Sequence, residues 1–329
     1  MKQALRILRS PLLSTALVLL LLILFGWIKY PGFGSAFTFV TLIQDHSHLG
    51  IVAVGVTLVI LSGGIDLSVG AAIGLGTVVM AVMMQHHYSV GLAIAATILL
   101  LTVGGALQGL IVHGFTVPPF LITLGGMFLY RGCALLITTD QIPVRNPGFD
   151  AISNISYRFL PWMHFKPTPS VSLQGILLVA VLIVAGVMLR WTRFGRNIYA
   201  VGGSESSALL MGLPVARTKI AVYAWSGLCA GIASLSALVG QPAGAALRAQ
   251  GLELDAIAVA VIGGTLLTGG VGSATGTFMG LVIYGVIEKI VSFQGALPAW
   301  TRITVGALLL AFILLQQWLR RFATRDAAA

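Results

Sequence analysis

Long apolar runs separated by short polar breaks constrain the fold of this 329-residue chain more than any other feature. Hydrophobic residues make up 57% of the chain and charged residues 9%, whereas soluble domains average about 25% charged residues. A bilayer core about 30 Å thick is crossed by roughly 20 apolar residues in helical form. The alternating strands of about ten residues that build membrane barrels are not a feature of this sequence. The sequence therefore predicts an all-α integral membrane protein.

The apolar runs predict about ten transmembrane helices in a single domain that covers residues 1–329. The predicted spans are 11–28, 47–61, 66–85, 90–113, 118–138, 172–190, 219–240, 253–268, 273–291 and 301–318. The first run exceeds the roughly 7–15 residues of a signal-peptide core, so we interpret it as an uncleaved span.

Lysine and arginine cluster near both termini and around the break at about 191–218. The positive-inside rule then places both termini and this break in the cytoplasm. The proline-rich segment at about 139–171 becomes a periplasmic loop of irregular structure or short helices. A net charge of +10 distributed in this way points to membrane topology and not to nucleic acid.

A metal site is not expected. The histidines at predicted span ends have a single acidic neighbour in sequence, Asp45, and no cysteine that would complete a ligand set, and interfacial positions explain them better. These histidines are His46, His48, His86 and His87.

The stretch "LVILSGGIDLSVGAAIG" places a carboxylate, Asp66, inside an apolar run. A charge at the centre of a spanning helix costs about 2.5–3.5 kcal/mol. Gly63 and Gly64 predict a helix break, after which Asp66 can accept backbone N–H bonds at the start of the next helix. Alternatively, the break lines a solute pathway or gate, with Ser62, Asp66 and Ser68 as polar contacts. The sequence leaves both interpretations open.

The same stretch resembles a second one later in the chain. "GGIDLSVGAAIGLGT" at Gly63–Thr77 and "GGTLLTGGVGSATGT" at Gly263–Thr277 share identical residues at six aligned positions. Transporters often contain internal repeats with broken helices, but forty glycines also raise the frequency of chance matches. A repeat would mark two related helix breaks.

Two further positions are candidates for the substrate pathway. Arg131 is an intramembrane charge and is functional by default; a salt bridge to Asp66 or to another acid is one option. Glu253 and Asp255 open the eighth predicted span, where carboxylates favour the helix dipole. The alternative for both acids is contact with a solute or partner near the outer mouth.

The break in the middle of the chain predicts a short helix at Glu205–Met211. Glycine, serine and proline signals frame it: Gly202, Gly203 and Ser204 precede it, and Gly212 and Pro214 follow. Two helical turns are marginal alone in water, so we expect a docking partner that contacts Ala208, Leu209 and Met211. The alternative is a solvated loop on the lipid headgroups.

Four motifs carry a family resemblance that extends over nearly the whole chain. They are "ILSGGIDLSVG" (60–70), "FLITLGGMFLYRG" (120–132), "TRFGRNIYAVGGSESSALLMGL" (192–213) and "GLELDAIAVAVIGGTLLTGGVGSATGT" (251–277). With them the chain resembles the permease subunits of bacterial ATP-binding-cassette (ABC) sugar importers of the ribose type. "YPGF" (30–33) and "IPVRNPGFD" (142–150) make it look most like the second permease of galactofuranose importers.

The resemblance implies an inner-membrane permease that translocates a monosaccharide, galactofuranose or a related pentose or hexose. It implies a dimer with an identical or a sister permease chain, a periplasmic sugar-binding protein and a cytoplasmic ATPase. That ATPase would use ATP and Mg, so this chain would bind no cofactor itself. The family's coupling helix, which contacts the ATPase, maps onto Gly203, Glu205, Ser206, Ser207, Ala208 and Gly212. Where relatives commonly show Asn-Glu-Ala-Ala, this chain has Ser-Glu-Ser-Ser, which favours the helix less.

Catalysis by this chain is not expected. A phosphate-binding Gly-x-x-x-x-Gly-Lys-Ser/Thr loop, a nucleophile elbow and a His-Glu-x-x-His helix are all missing from the sequence. The nine acidic residues are too scattered for a membrane-embedded enzyme. An ion-coupled secondary sugar transporter, with Asp66 as an ion site, remains the alternative to the ABC permease.

Overall fold

The computed structural model describes residues 11–158, 170–297 and 299–328. Most of these residues are helical. The helices are α1 (Pro11–Lys29), α2 (Ala36–Asp45), α3 (Ser47–Leu61), α4 (Val69–Gln85), α5 (Val90–Gly114), α6 (Pro119–Ile137), α7 (Pro147–Ser153), α8 (Leu173–Trp191), α9 (Arg193–Gly203), α10 (Glu205–Leu210), α11 (Val215–Gly240), α12 (Leu252–Ile262), α13 (Ala274–Phe293) and α14 (Ala299–Ala328).

Four short strands form two antiparallel pairs that the sequence did not predict. They are β1 (Ile142–Pro143), β2 (Ser156–Arg158), β3 (Ser170–Ser172) and β4 (Ala243–Gly244). β1 pairs with β4 and β2 with β3. The 139–171 loop is otherwise irregular as expected, with α7 capped by the Asn146 side chain, which accepts from Gly148 N at 2.9 Å. Its residues 159–169 lie outside the described residues.

Six of the described helices are long and apolar enough to cross a membrane, namely α1, α5, α6, α8, α11 and α13. α2 and α3 are bent by 59° relative to each other and together would make a seventh. The 17-residue α4 and the apolar part of α14, Ala299–Leu314, are shorter. A multi-pass helical protein is therefore confirmed. Ten full spans are not, and the side of the membrane on which the termini lie stays a prediction.

The eighth predicted span, 253–268, is wrong in its extent. Only α12 is helical there, and its 11 residues reach about 16 Å, too short to cross a bilayer. The 241–251 segment in front of it is not helical and lies along α4, where Gly244 contacts Thr77 and Ala249 contacts Gly70. Residues 263–268 of the predicted span instead belong to the break between α12 and α13.

α3 is the central helix of the bundle. Of its 15 residues only His48 is not buried, and α8, α11, α12 and α13 surround it. A helix that is apolar on every side belongs in such a position.

Glycines let α5 and α11 pack at backbone distance. A Cβ atom on Gly105 or Gly109 of α5 would overlap Tyr223 or Ile220 of α11, and one on Gly227 would overlap the Leu101 carbonyl of α5. Small residues allow such close approach between membrane helices. These glycines therefore serve helix packing.

Candidate functional site

The segment between α8 and α11 folds as the sequence predicts at its centre. The Ser204 side chain caps α10 by accepting from Ser207 N at 3.3 Å, and Gly212 adopts a left-handed φ of +72° just after the helix. Hydroxyl caps and left-handed glycines are the usual ends of a short helix. α9 was not predicted; Thr192 caps it by accepting from Gly195 N at 3.1 Å.

The outer face of α10 is apolar and exposed. Leu209, Leu210 and Met211 are 65%, 89% and 67% exposed. Ala208, predicted to contact a partner, is instead fully buried and packs with Val201. Ala208 therefore anchors α10 to this chain, and the three larger side chains form the exposed patch, which we call the α10 patch.

Polar side chains border the α10 patch. Glu205 pairs with Lys219 of α11 at 2.6 Å. The Ser204 hydroxyl donates to Ser207 at 2.9 Å and lies 3.3 Å from the Ser206 hydroxyl. An apolar centre with a polar rim is the composition of a protein interface.

Behind α10, three chain segments meet at backbone distance. Gly270 N donates to the Leu61 carbonyl at 3.0 Å, and a Cβ atom on Gly202 would overlap that same carbonyl oxygen. A Cβ atom on Gly269 would lie 3.1 Å from Gly63 N. The break between α3 and α4 is called the first break, and the break between α12 and α13 is called the second break. The place where both breaks contact α9 is called the glycine junction.

A side chain also joins these elements. The Tyr199 hydroxyl of α9 donates to the Gly272 carbonyl at 2.8 Å. The glycines around Gly272 indicate a helix break, but nothing in the sequence indicates that Tyr199 would bond to one of them. A Cβ atom on Gly203, in contrast, would have nothing within 4 Å.

The first break connects α3 to α4. Ser62 closes α3 by donating to the Val59 carbonyl at 2.8 Å, and Gly63 has a φ of +84°. A Cβ atom on Gly64 would lie 2.5 Å from the Tyr223 hydroxyl oxygen. The predicted helix break is confirmed, and packing against α11 explains its second glycine.

Asp66 is 2% exposed and its carboxylate is fully engaged. Oδ1 accepts from Ser68 N at 2.9 Å and from the Ser68 hydroxyl at 2.6 Å. Oδ2 accepts from the Ser226 hydroxyl of α11 at 2.7 Å. Gln108 of α5 also lies 3.2 Å from the Ser68 hydroxyl. Oδ1 therefore bonds the residue just before α4 and no N–H group of its first turn, and Oδ2 ties the break to α11.

Arg131 of α6 lies at the 241–251 segment and not at Asp66. Its Nη1 donates to the carbonyls of Ala246 and Arg248, the latter at 3.1 Å. A Cβ atom on Gly74 of α4 would lie 2.6 Å from the Ala246 carbonyl oxygen. Non-helical backbone inside a helical bundle needs hydrogen-bond partners from the protein, and Arg131 provides one for each of these two carbonyls. The optional salt bridge to Asp66 is not formed.

The two acids at the start of α12 have different surroundings. Glu253 lies against Gly70, with Arg131 as a nearby opposite charge. Asp255 lies near the Tyr284 side chain of α13. Both lie in the first turn of α12, as the dipole interpretation predicts.

The two resembling stretches are both helix breaks that lead into a new helix. α4 begins at Val69, five residues after Gly64, whereas α13 begins at Ala274, ten residues after Gly264. Gly70 is accordingly helical, and its aligned partner Gly270 lies in the loop with a φ of +73°. The second break is therefore the longer one and supplies the residues that reach the glycine junction.

Sequence reasoning missed a pair of charge contacts at the opposite end of the bundle. His46, at the bend between α2 and α3, lies 2.5 Å from Glu288 of α13. Asp45 pairs with Lys289 at 2.9 Å. These contacts hold the bend of α2 and α3 against α13.

The chain matches known proteins over most of its length. Residues 38–313 match the family described as branched-chain amino acid transport system / permease component. The inner membrane ABC transporter permease protein YjfF of Escherichia coli K12 is 40% identical, covering 94% of this chain and 92% of that protein. The fructose import permease protein FruG of Bifidobacterium longum is 36% identical, covering 93% and 90%.

The ribose import permease protein RbsC of Escherichia coli K12 is 35% identical, covering 92% of each chain. No solved structure gives a significant match. These matches and the apolar helices make the chain a multi-pass inner-membrane protein. It is a non-catalytic subunit, with ATP hydrolysis in a separate ATPase.

Because the family match spans residues 38–313 and the relatives align with nearly the whole chain, the chain belongs to the branched-chain amino acid transport system / permease component family.

Proposed function

We propose that the chain is the transmembrane permease subunit of an ABC importer that moves a monosaccharide across the inner membrane. Its partners would be a cytoplasmic ATPase, a periplasmic sugar-binding protein and a second permease chain, identical or homologous. The printed names of its relatives support the substrate class, since they include import permeases for fructose and ribose and a xylose transport permease. Galactofuranose or a related pentose or hexose is the proposed cargo.

The observation that carries this proposal is the position of the α10 patch beside the glycine junction. Leu210 is 89% exposed on a helix whose buried side, at Ala208, packs against α9. α9 in turn contacts both helix breaks, at Leu61 and Gly270. A displacement of α10 is therefore transmitted to both helix breaks through close-packed backbone contacts.

The mechanism follows from this connection. ATP-driven closure of the ATPase would move α10 and α9 as one piece, because their junction is packed and capped. The two breaks would then shift together, and the bundle would change between outward-facing and inward-facing states. This chain supplies the motion and the solute path, and the partner supplies the energy.

The ion-coupled alternative is not supported. Both oxygens of the Asp66 carboxylate accept hydrogen bonds from Ser68 and Ser226, so the residue has a structural assignment without a transported ion. The printed name of the relative YjfF states that it is an ABC transporter permease.

Purification with the ATPase, the sister permease and the binding protein tests the proposal. We expect a membrane complex whose ATPase activity rises when sugar-loaded binding protein is added. Reconstituted vesicles should take up at least one sugar from a panel of galactose, ribose, fructose and xylose only when ATP is supplied. Uptake driven by a proton or sodium gradient without the ATPase would overturn the proposal.

A variant of the α10 patch tests its assigned role. Leu210→Glu places a charge where the ATPase would dock, so we expect at least a tenfold loss of ATPase association with normal levels of folded permease. Leu297→Glu is the matched control, because Leu297 is also exposed, at 73%, but lies beyond the far end of α13. Equal association by both variants would contradict the docking assignment.

A further inference from the structure

A cavity of about 480 Å³ lies at the end of the bundle opposite α10. α11 begins beside α10 and runs for 26 residues, about 39 Å, and its last residue, Gly240, lines the cavity. The bend between α2 and α3, the start of α8 and the 241–251 segment complete the wall. Its polar lining consists of Asp45, His48, Gln174, Gln241 and Arg248.

Two of these side chains form a fixed frame. Gln174 Nε2 donates to the Ser236 carbonyl at 3.0 Å. The Arg248 guanidinium donates to the carbonyls of Ala237 at 3.1 Å and Ala243 at 2.8 Å. The positions of this amide and this cation are therefore set by the backbone around them.

The lining has further polar groups outside these hydrogen bonds. Arg248 Nε is buried and has no hydrogen-bond partner among the described residues. The His48 ring and the Gln241 amide also line the cavity and are not part of the frame. Asp45 uses Oδ2 for Lys289 at 2.9 Å, and its carboxylate has a second oxygen. Donors and acceptors are thus available side by side.

The rest of the lining is small. Ala237, Gly240 and Ala249 leave room, and no aromatic ring lines the cavity among the described residues. The volume falls in the range of about 300–1,000 Å³ that is typical of small-molecule sites. Asp45 and Arg248 carry opposite charges, which disfavours both strongly anionic and strongly cationic solutes and suits a neutral, hydroxyl-rich one.

One wall of the cavity continues to the glycine junction. Arg248 and Ala249 belong to the 241–251 segment, which Arg131 holds against the bundle through the Ala246 carbonyl. The same segment leads directly into α12 and then into the second break, where Gly270 bonds to Leu61. Movement at the junction can therefore change the shape of the cavity and release its contents.

We propose that this cavity is the transit site in which the neutral monosaccharide first contacts the permease. The inference rests on the proposed function and deepens it. His48 and Gln241 would hydrogen-bond the sugar hydroxyls, with Asp45 as a further acceptor and Arg248 as the fixed cation of the wall. The site is distinct from Asp66, whose oxygens are already occupied.

Uptake by the complete reconstituted transporter tests the transit site, with radiolabelled galactose, ribose, fructose and xylose as probes. Gln241→Trp fills the cavity from an exposed position, so it leaves the packed core unchanged. His48→Leu removes one of the polar groups of the lining. The matched controls are Gln85→Trp and His86→Leu, both exposed positions at the end of α4 outside the cavity lining. Binding-protein-stimulated ATPase activity is measured on every variant as a readout of folding and coupling.

We expect both cavity variants to reduce uptake of the transported sugar at least fivefold while ATPase stimulation stays within twofold of the parent protein. The controls should retain both activities. Uptake by Gln241→Trp and His48→Leu at the level of their controls would overturn the transit site and leave the proposed function intact. A parent transporter that takes up none of the four sugars would overturn the proposed function, and the transit site with it.

Discussion

At the residue scale, Gly202 shows how a missing side chain connects distant parts of the molecule. Its Cα faces the carbonyl of Leu61 and the N–H group of Gly270, which bond to each other at 3.0 Å. Any side chain here must push apart two backbones whose hydrogen bond joins the first and second breaks. Overpacking of this kind costs about 1–3 kcal/mol.

Gly202→Ala should therefore lower the apparent melting temperature of the detergent-purified permease by several degrees and reduce ATP-driven uptake. Gly203→Ala is the matched control, since nothing lies within 4 Å of a Cβ atom at Gly203, and it should change melting little. The measurement is loss of the monodisperse peak in size-exclusion chromatography after heating. Equal melting temperatures for the two variants would contradict the contact at the glycine junction.

Asp66 presents the second residue-scale test. Asp66→Ala leaves the Ser68 N–H group and the Ser226 hydroxyl without their acceptor, and the Ser68 hydroxyl keeps only Gln108. Ser226→Ala instead removes one bond from a carboxylate that keeps the others. An unsatisfied buried polar group costs about 1–3 kcal/mol. We expect Asp66→Ala to lower the melting temperature clearly more than Ser226→Ala. The same thermal assay, run without sugar, checks this, and the reverse order would refute a structural role for the carboxylate.

At the element scale, the sequence predicted the ends of those helices that are fixed by capping residues next to them in the chain. α5 runs over Val90–Gly114 against a predicted 90–113, because Ser89 caps it and its apolar run ends there. The Ser204 cap and the left-handed Gly212 likewise defined α10 from sequence. Asp66 was predicted as a cap, but its partner Ser226 is 160 positions away, and no local pattern identifies it.

The largest error of the sequence prediction lies in the 241–262 region, and it has a physical reason. The apolar residues of α12 predict a helix, but they say nothing about the depth at which it begins. That depth depends on Gly70 and Gly74 of α4 and on Arg131 of α6. These contacts are far apart in sequence and exist only in the folded bundle.

Arg131 provides an element-scale prediction for this region. Arg131→Leu removes the donor to the Ala246 and Arg248 carbonyls, so the 241–251 segment should open more often. Hydrogen–deuterium exchange of the purified permease should be at least tenfold faster in this segment than in the parent protein. Peptides from the α5–α11 interface serve as the internal control and should be unchanged. Unaltered exchange at 241–251 would contradict the role of Arg131.

The end of α10 gives a second test at this scale. Gly212 has a φ of +72° and donates its N–H group to the Leu209 carbonyl at 3.0 Å. Gly212→Pro fixes φ near −65° and removes that donor, so it should abolish ATP-driven uptake at normal membrane levels. Gly212→Asn, which tolerates left-handed φ, should retain most uptake. Normal uptake by the proline variant would refute the coupling assignment of this segment.

At the scale of the whole molecule, the two proposed sites lie at opposite ends of the chain's helical bundle. One end carries the α10 patch and the glycine junction. The other carries the polar cavity and the contacts of His46 with Glu288 and of Asp45 with Lys289. α11 reaches from the first end to the second, and the 241–262 region leads back. An importer needs this separation, because energy and solute arrive from opposite sides.

The distribution of basic residues predicts which end faces the cytoplasm. Positive charges favour the cytoplasmic side, so the α10 end, with Arg193 and Arg196 in α9, should lie there. Ser206→Cys at that end should then react with a membrane-impermeant maleimide only after spheroplasts are lysed. Gln85→Cys, exposed at the opposite end, should react in intact spheroplasts, with the parent protein as control for Cys133 and Cys229. Labelling of Ser206→Cys in intact spheroplasts would invert the topology and place the α10 patch beyond the reach of a cytoplasmic ATPase.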